Sequence, residues 1–145
     1  MTRGVRQGDP MSPFLFIIAM EGLNIAMMKA KRGGFFEGIN LPHNGPSISH
    51  FLFADDALFV GKWSKENMAN LLGILRCFHL ASSLKVNLSK TMLYATVVGP
   101  ASFAEAAASI HCNAGVLPFK YLGLPVGASM SRCAAWLAPY CQIST

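Results

Sequence analysis

The stretch SISHFLFADDALFV, running from Ser47 to Val60, decides how the fold is read. Two apolar, aromatic-rich runs, Ser47–Phe53 and Ala57–Val60, flank Ala54-Asp55-Asp56. Runs this short with tight spacing between them favour strands joined as a hairpin. The turn then carries two adjacent carboxylates. Like charges this close repel, and burial between apolar strands raises the cost of ionising both. A hard divalent cation relieves both problems, and oxygen ligands at a turn tip are what Mg²⁺ accepts. Asp is also a favoured turn residue, so the same letters read equally as an ordinary Asp-rich turn.

Upstream, Ser12 to Arg32 reads as a helix. Ser12 suits the N-cap and Pro13 the first helical position, where its missing N–H costs nothing. Phe14 to Met20 is apolar all round, which predicts first turns buried on every side. Lys29, Lys31 and Arg32 suit the negative end of the helix dipole, and Gly33-Gly34 stops the helix. The intervening residues 35–46 hold Gly38, Pro42, Gly45 and Pro46 and read as a loop. Just before the helix, Arg6-Gln7-Gly8-Asp9-Pro10 is a Gly-containing turn. Such a turn exposes backbone N–H groups that suit a phosphate, and it reads as well as a plain helix-entry loop.

Downstream, a second helix is predicted from about Ser64 to Ala81, with Met68, Leu71, Leu72, Leu75 and Phe78 on one face. Lys85–Leu88 and Thr91–Val98 read as strands around a polar break holding Lys90. A third helix is predicted from Ser102 to about Cys112, with Ser102 and Glu105 as a capping box. Val116–Ala128 reads as an irregular hairpin, and no pattern emerges beyond Ser129. The order of elements is that of an α+β domain, an antiparallel sheet packed on helices.

Composition narrows the class. The chain has 145 residues, of which 52% are hydrophobic and only 13% charged, against about 25% charged in an ordinary domain. This excludes disorder and points to a core normally covered by more protein. The longest apolar run, Pro13 to Met20, ends at Glu21, and a membrane span needs about 20 residues. Neither a membrane span nor a secretory signal is expected, and an intracellular, nuclear or cytoplasmic protein follows. The net charge of +5 comes from 12 basic and 7 acidic residues, with only Lys29, Lys31 and Arg32 clustered. That permits a polyanionic partner without requiring one. Cys77, Cys112, Cys133 and Cys141 contain no paired zinc-ligand spacing and are expected to be reduced and buried.

Taken in order, GVRQGDPMSPFLF (Gly4–Phe16), FADD (Phe53–Asp56), LKVNLSKT (Leu84–Thr91) and LPFKYLGLPVG (Leu117–Gly127) resemble one family. The chain resembles the reverse transcriptase of LINE-type non-LTR retrotransposons of plants, over about residues 3–132. The resemblance implies a partial polymerase palm over residues 1–115, a hairpin leading toward the thumb over 116–132 and an irregular tail over 133–145. It implies RNA-directed DNA synthesis on an RNA template and a DNA primer with dNTPs. It also implies two Mg²⁺ ions held by Asp55 as principal and Asp56 as supporting ligand. By the same resemblance Arg6, Gln7 and Gly8 line the nucleotide and template base. Lys90 assists the leaving pyrophosphate, and Tyr121, Leu122 and Gly123 hold the primer end. The family needs a further metal-binding Asp on an earlier strand. The seven acids here are Asp9, Glu21, Glu37, Asp55, Asp56, Glu66 and Glu105, and none precedes Gly4. Without that ligand or the fingers, the 145 residues alone are expected to be inactive, a palm-to-thumb fragment. The alternative reading is a non-catalytic remnant or domesticated nucleic-acid-binding module.

Overall fold

A computed structural model of the chain describes residues 8–96 and 99–127. The fold is α+β. The chain forms two compact units, residues 1–86 and residues 87–145.

The first unit is built on helix α1, Ser12–Arg32. Its entry differs from the cap expected at Ser12: Met11 is the N-cap residue, Ser12 the first helical residue and Pro13 the second. The capping work falls to Asp9, whose carboxylate accepts the Met11 N–H at 2.9 Å and whose carbonyl accepts that of Ser12 at 3.0 Å. At the other end Gly34 adopts φ +73. Its N–H bonds Lys31 O at 3.3 Å and that of Phe35 bonds Ala30 O at 2.9 Å. This is a Schellman close, which the left-handed glycine makes possible.

Beyond α1 come strands β1 (Ile39–Asn40) and β2 (Ser47–Ile48), then β3 (His50–Phe53) and β4 (Asp56–Phe59), then helix α2 (Lys65–Ser82). β1 pairs with β2, and β3 with β4, both antiparallel. The loop expected over 35–46 therefore contains a strand, and the run from Ser47 to Phe53 is two strands split at Ser49. The core comes from one stripe of α1: Leu23, Met27 and Ala30, joined by Phe36. Leu52 and Phe59 of the hairpin and Leu71, Ile74, Leu75 and Phe78 of α2 pack against it.

This core covers only the second half of α1. Phe14, Ile17 and Ile18 are each more than 60% exposed, so the all-round burial expected from Phe14 to Met20 does not occur, although Met20 packs against the core. The hairpin strands have four residues each and are too short to reach along a 21-residue helix. Among the described residues, α1 is also the one helix long and apolar enough, by length and composition, to cross a membrane. The unbroken apolar run stops at Glu21, while the apolar average holds over the helix. Cys77 is exposed rather than buried.

Asn67 ties this unit together. It is buried, accepts the Glu37 N–H at 2.8 Å and donates to the carbonyls of Glu37 and Lys62, each at 2.9 Å. The Ser64 hydroxyl caps α2 by accepting the Asn67 N–H at 3.0 Å. Gly61 lies under this clamp: a Cβ there would meet Phe36, Asn67 and the Glu37 carbonyl at 2.7–2.8 Å, so only glycine fits.

The second unit holds β5 (Met92–Leu93), helix α3 (Pro100–Ser109), β6 (Asn113–Ala114), β7 (Phe119–Tyr121) and β8 (Leu124–Val126). β5 and β6 pair in parallel across α3, and β7 and β8 pair antiparallel. Helix α3 starts at Pro100 after Gly99. Ser102 and Glu105 thus lie inside the helix, and the capping box expected of them is not formed. Residues 85–88 form no strand, and of the strand expected over Thr91–Val98 only β5 appears; residues 97 and 98 lie outside the described residues. Among the described residues the strands form four two-stranded pairs, three antiparallel and one parallel. The hairpin over 116–128 is present as β7–β8, with Ala128 and the tail over 133–145 outside the described residues. The Phe119 ring stacks on Tyr94 with centroids 3.9 Å apart.

Candidate functional site

The β3–β4 register sets Phe53 against Asp56, which leaves Ala54 and Asp55 as a two-residue loop. Asp55 is the tip, and Asp56 is the first residue of β4 rather than part of the turn. Ala54 adopts φ +50 and Asp55 has no positive φ. Two-residue hairpins need a positive φ because only the primed turns match the strand twist. A non-glycine residue in that region costs about 1–2 kcal/mol.

Strand alternation puts Phe51 and Phe53 with Asp56 and Leu58 on one face. The opposite face, with Leu52 and Phe59, looks onto α1. Phe51 and Phe53 are 46% and 60% exposed, and both Asp55 and Asp56 are exposed. The desolvation expected from apolar flanking strands is therefore absent. What remains is a carboxylate pair standing in solvent on an apolar hairpin. Oxygen donors of this kind suit Mg²⁺. Among the described residues, no three His, Cys, Asp or Glu side chains gather as a metal-holding group, so the pair is a partial ligand set.

Of the other residues singled out, Arg6 and Gln7 lie outside the described residues. Gly8 sits in the turn before α1, exposed, at φ +90. Two of the N–H groups that follow it are taken by Asp9. Lys90 is exposed and ends a turn in which its N–H bonds Asn87 O at 3.1 Å. Tyr121 closes β7 opposite Leu124, and Leu122 and Gly123 form the loop between β7 and β8, at φ +50 and +82. Asp55, Asp56 and Gly8 thus belong to the first unit, and Lys90 and Tyr121 to Gly123 belong to the second.

The sequence reading missed a polar chain between α1 and the start of β3. The Asn24 amide donates to both carboxylate oxygens of Glu21 at 3.2 Å, and its carbonyl oxygen lies 2.9 Å from His50 Nε2. The other ring nitrogen lies 2.9 Å from the Ser49 hydroxyl. The one available signal was an Asn three residues after a Glu inside a greasy helix.

An α+β unit presenting two carboxylates at the tip of a hairpin seated on a long helix fits the polymerase palm that the motifs resemble. The model of the reverse transcriptase (RNA-dependent DNA polymerase) family matches residues 1–126, and the chain belongs to that family. It is also similar to an uncharacterized mitochondrial protein of Arabidopsis thaliana, 49% identical over 55 residues. That match covers 38% of this chain and 45% of the relative, so the chain spans less than half the length of the relative it matches. No solved structure matches it.

Proposed function

We propose that the chain derives from a LINE-type non-LTR retroelement and carries palm residues of its RNA-directed DNA polymerase. The observation that supports this most directly is the exposed Asp55–Asp56 pair at the tip of the β3–β4 hairpin. In this reading residues 1–115 are palm, 116–132 lead toward the thumb and 133–145 are a tail. The setting is intracellular.

Asp55 and Asp56 are the residues that would hold Mg²⁺. Bound there, the metal supplies charge neutralisation at the primer hydroxyl and at the departing pyrophosphate. The chain's own residues then do the placing. The apolar hairpin presents Asp55 from its turn and Asp56 from the first position of β4. Arg6, Gln7 and Gly8 contact the nucleotide and template base, Lys90 meets the leaving phosphate, and Tyr121, Leu122 and Gly123 seat the primer end. RNA template, DNA primer and dNTPs are the partners.

A second reading, a nucleic-acid-binding module without catalysis, is favoured by one observation: no third ligand joins the pair among the described residues. Two adjacent carboxylates hold Mg²⁺ loosely, because it demands near-octahedral coordination. Losing one member of a cooperative constellation removes most of its rate advantage. The 145-residue polypeptide is therefore expected to bind primer–template weakly, with affinity that falls as salt rises, and not to extend it. Primer extension on the purified chain with Mg²⁺ and dNTPs, beside Asp55→Asn, tests this. No extension with salt-sensitive binding supports the second reading for this polypeptide. Extension that Asp55→Asn removes establishes the first.

A further inference from the structure

A groove of about 530 Å³ runs between α1 and β3, lined by Phe16, Met20, Glu21, Asn24, His50 and Ala54 among others. Ala54, the residue before Asp55, is part of its lining. Its polar side chains are engaged with one another, so they read as a lock between two elements.

The hydrogen-bond chain fixes its own proton positions. Asn24 spends its amide hydrogens on Glu21, so its Oδ1 is the acceptor facing His50. His50 Nε2, 2.9 Å away, must then be the donor. A neutral imidazole has a single ring proton, which leaves Nδ1 as the acceptor for the hydroxyl of Ser49, a residue only 5% exposed. Every link is satisfied with His50 neutral and none needs a ligand.

The apolar contacts of Leu52 and Phe59 with α1 are non-directional. β3 and β4 pair only with each other among the described residues, so no neighbouring strand sets the hairpin's orientation. The Asn24–His50 bond is a directional tie from α1 to the hairpin. It acts at the first residue of the strand that runs into the tip.

We propose that Asn24 and His50 are positioning residues for the Asp55–Asp56 tip, their hydrogen bond holding the β3–β4 hairpin at one setting on α1. This rests on Asp55 and Asp56 being the metal carboxylates. The charged groups bearing on His50 are Glu21, on the far side of Asn24, and Lys31. Lys31 Nζ donates to the Ser47 carbonyl at the neighbouring strand β2. The cross-strand neighbour on β4, Phe59, carries no charge. Burial first, and the Lys31 charge second, hold the His50 pKa below its ordinary 6.5, which keeps the chain of bonds in its neutral form at pH 7. A histidine with a lowered folded pKa contributes its full stability above pH 6.5. That contribution is lost as pH falls through the folded value, because the unfolded state binds the proton first.

The test is a pH titration of the ¹⁵N-labelled 145-residue chain from pH 8 to 5, reading the His50 ring signals and the backbone amides of residues 54–56. In the wild type the His50 ring should titrate below 6.5 while the tip amides hold their shifts, because the added proton goes to Nδ1 and the Nε2–H bond to Asn24 persists. His50→Gln places a non-titrating N–H donor where Nε2 was. It should keep the tip shifts of the wild type. His50→Phe and Asn24→Ala, which each remove one side of the bond, should move the tip shifts at every pH. Mn²⁺, added at pH 7.5, should broaden the Asp55 and Asp56 amides in the wild type and in His50→Gln. Tip amides left unmoved by Asn24→Ala overturn the positioning role, whatever Mn²⁺ does and even if His50→Phe fails to fold. Tip amides that move in Asn24→Ala but are not broadened by Mn²⁺ in the wild type overturn the metal reading and leave the lock standing.

Discussion

The chain builds two hairpins with two-residue loops, and they differ in where the strain sits. In β3–β4 the loop is Ala54-Asp55; in β7–β8 it is Leu122-Gly123. The first loop residue has φ +50 in both. The second is Gly123 at +82 in one, and in the other Asp55, which has no positive φ. Two positive φ values mark a type I′ turn, and one at the first position marks a II′ turn. The II′ form loads the strain onto Ala54 and leaves Asp55 in a conformation that any residue accepts. A type I′ turn would have forced the carboxylate-bearing residue itself into the left-handed region. At the other tip that position is a glycine, and no side chain is presented. One turn carries an acid at its second position and the other a glycine.

What seats each hairpin also differs, and the largest expected effects test this. The first rests on the α1 stripe through Leu52 and Phe59. Met27, fully buried in that stripe, should cost about 2–5 kcal/mol when replaced by Ala. Hydrogen exchange at the β3–β4 amides should accelerate accordingly. Exchange at β7–β8 rising by the same factor would show that the two hairpins open together. The second hairpin is seated by the Phe119 ring on Tyr94, with Gly115 beneath it. A Cβ at Gly115 would stand 2.8 Å or closer to three atoms of the Tyr94 ring. Gly115→Ala should therefore cost about 1–3 kcal/mol, seen as faster exchange at Phe119 and Tyr121. No loss on Gly115→Ala would mean that the stack gives way freely.

The turns themselves carry less. Ala54→Gly and Leu122→Gly each relieve one left-handed residue, and each should stabilise its hairpin by about 0.5–1 kcal/mol after the added entropy of the unfolded chain. Ser83, at φ +63 after α2, should respond similarly to glycine. Thermal denaturation of the three variants checks this. A loss on Ala54→Gly would mean that the methyl group packs against the groove strongly enough to outweigh the strain.

Much of this comparison was legible in the residues. The Ser12–Arg32 helix, the Gly33-Gly34 stop and the hairpin around Asp55 follow from local chemistry: apolar runs of defined length, a dipole-compensating basic end, and a residue free to turn left-handed. The last turn of α3 shows the limit of such rules. It closes as a Schellman motif around His111 at φ +56, with Cys112 N–H on Ala107 O at 3.1 Å, and no glycine announces it. The capping box at Ser102 failed because Pro100, fixed in φ, already starts the helix two residues earlier. All-round burial of Phe14 to Met20 failed for a different reason. Hydrophobicity states that a surface should be covered, but only the length of the neighbouring strands decides whether it is. The pair Asp55–Asp56 was found by its letters. The Asn24–His50 bond that ties the start of β3 to the helix was not, because it joins residues 26 positions apart and neither leaves a periodic trace.

The smallest effect concerns the charges that set the two tips apart. Asp55 and Asp56 are both exposed, so their repulsion acts largely through water. Two charges at 4 Å in bulk water interact by about 1 kcal/mol, and salt at 0.15 M screens over about 8 Å. A few tenths of a kcal/mol remain, which Asp56→Asn should return to the β3–β4 hairpin at low ionic strength. Asn keeps the shape and the acceptor oxygen, so the change isolates the charge. At 1 M salt the gain should vanish, since the screening length is then about 3 Å. The uncharged Leu122-Gly123 tip has no such repulsion to screen, and it serves as the internal control. A divalent cation should oppose the substitution: Mg²⁺ should raise the melting temperature of the wild type and not of Asp56→Asn. A gain on Asp56→Asn that persists at 1 M salt would place its origin in the Phe53–Asp56 strand pairing rather than in the carboxylate pair.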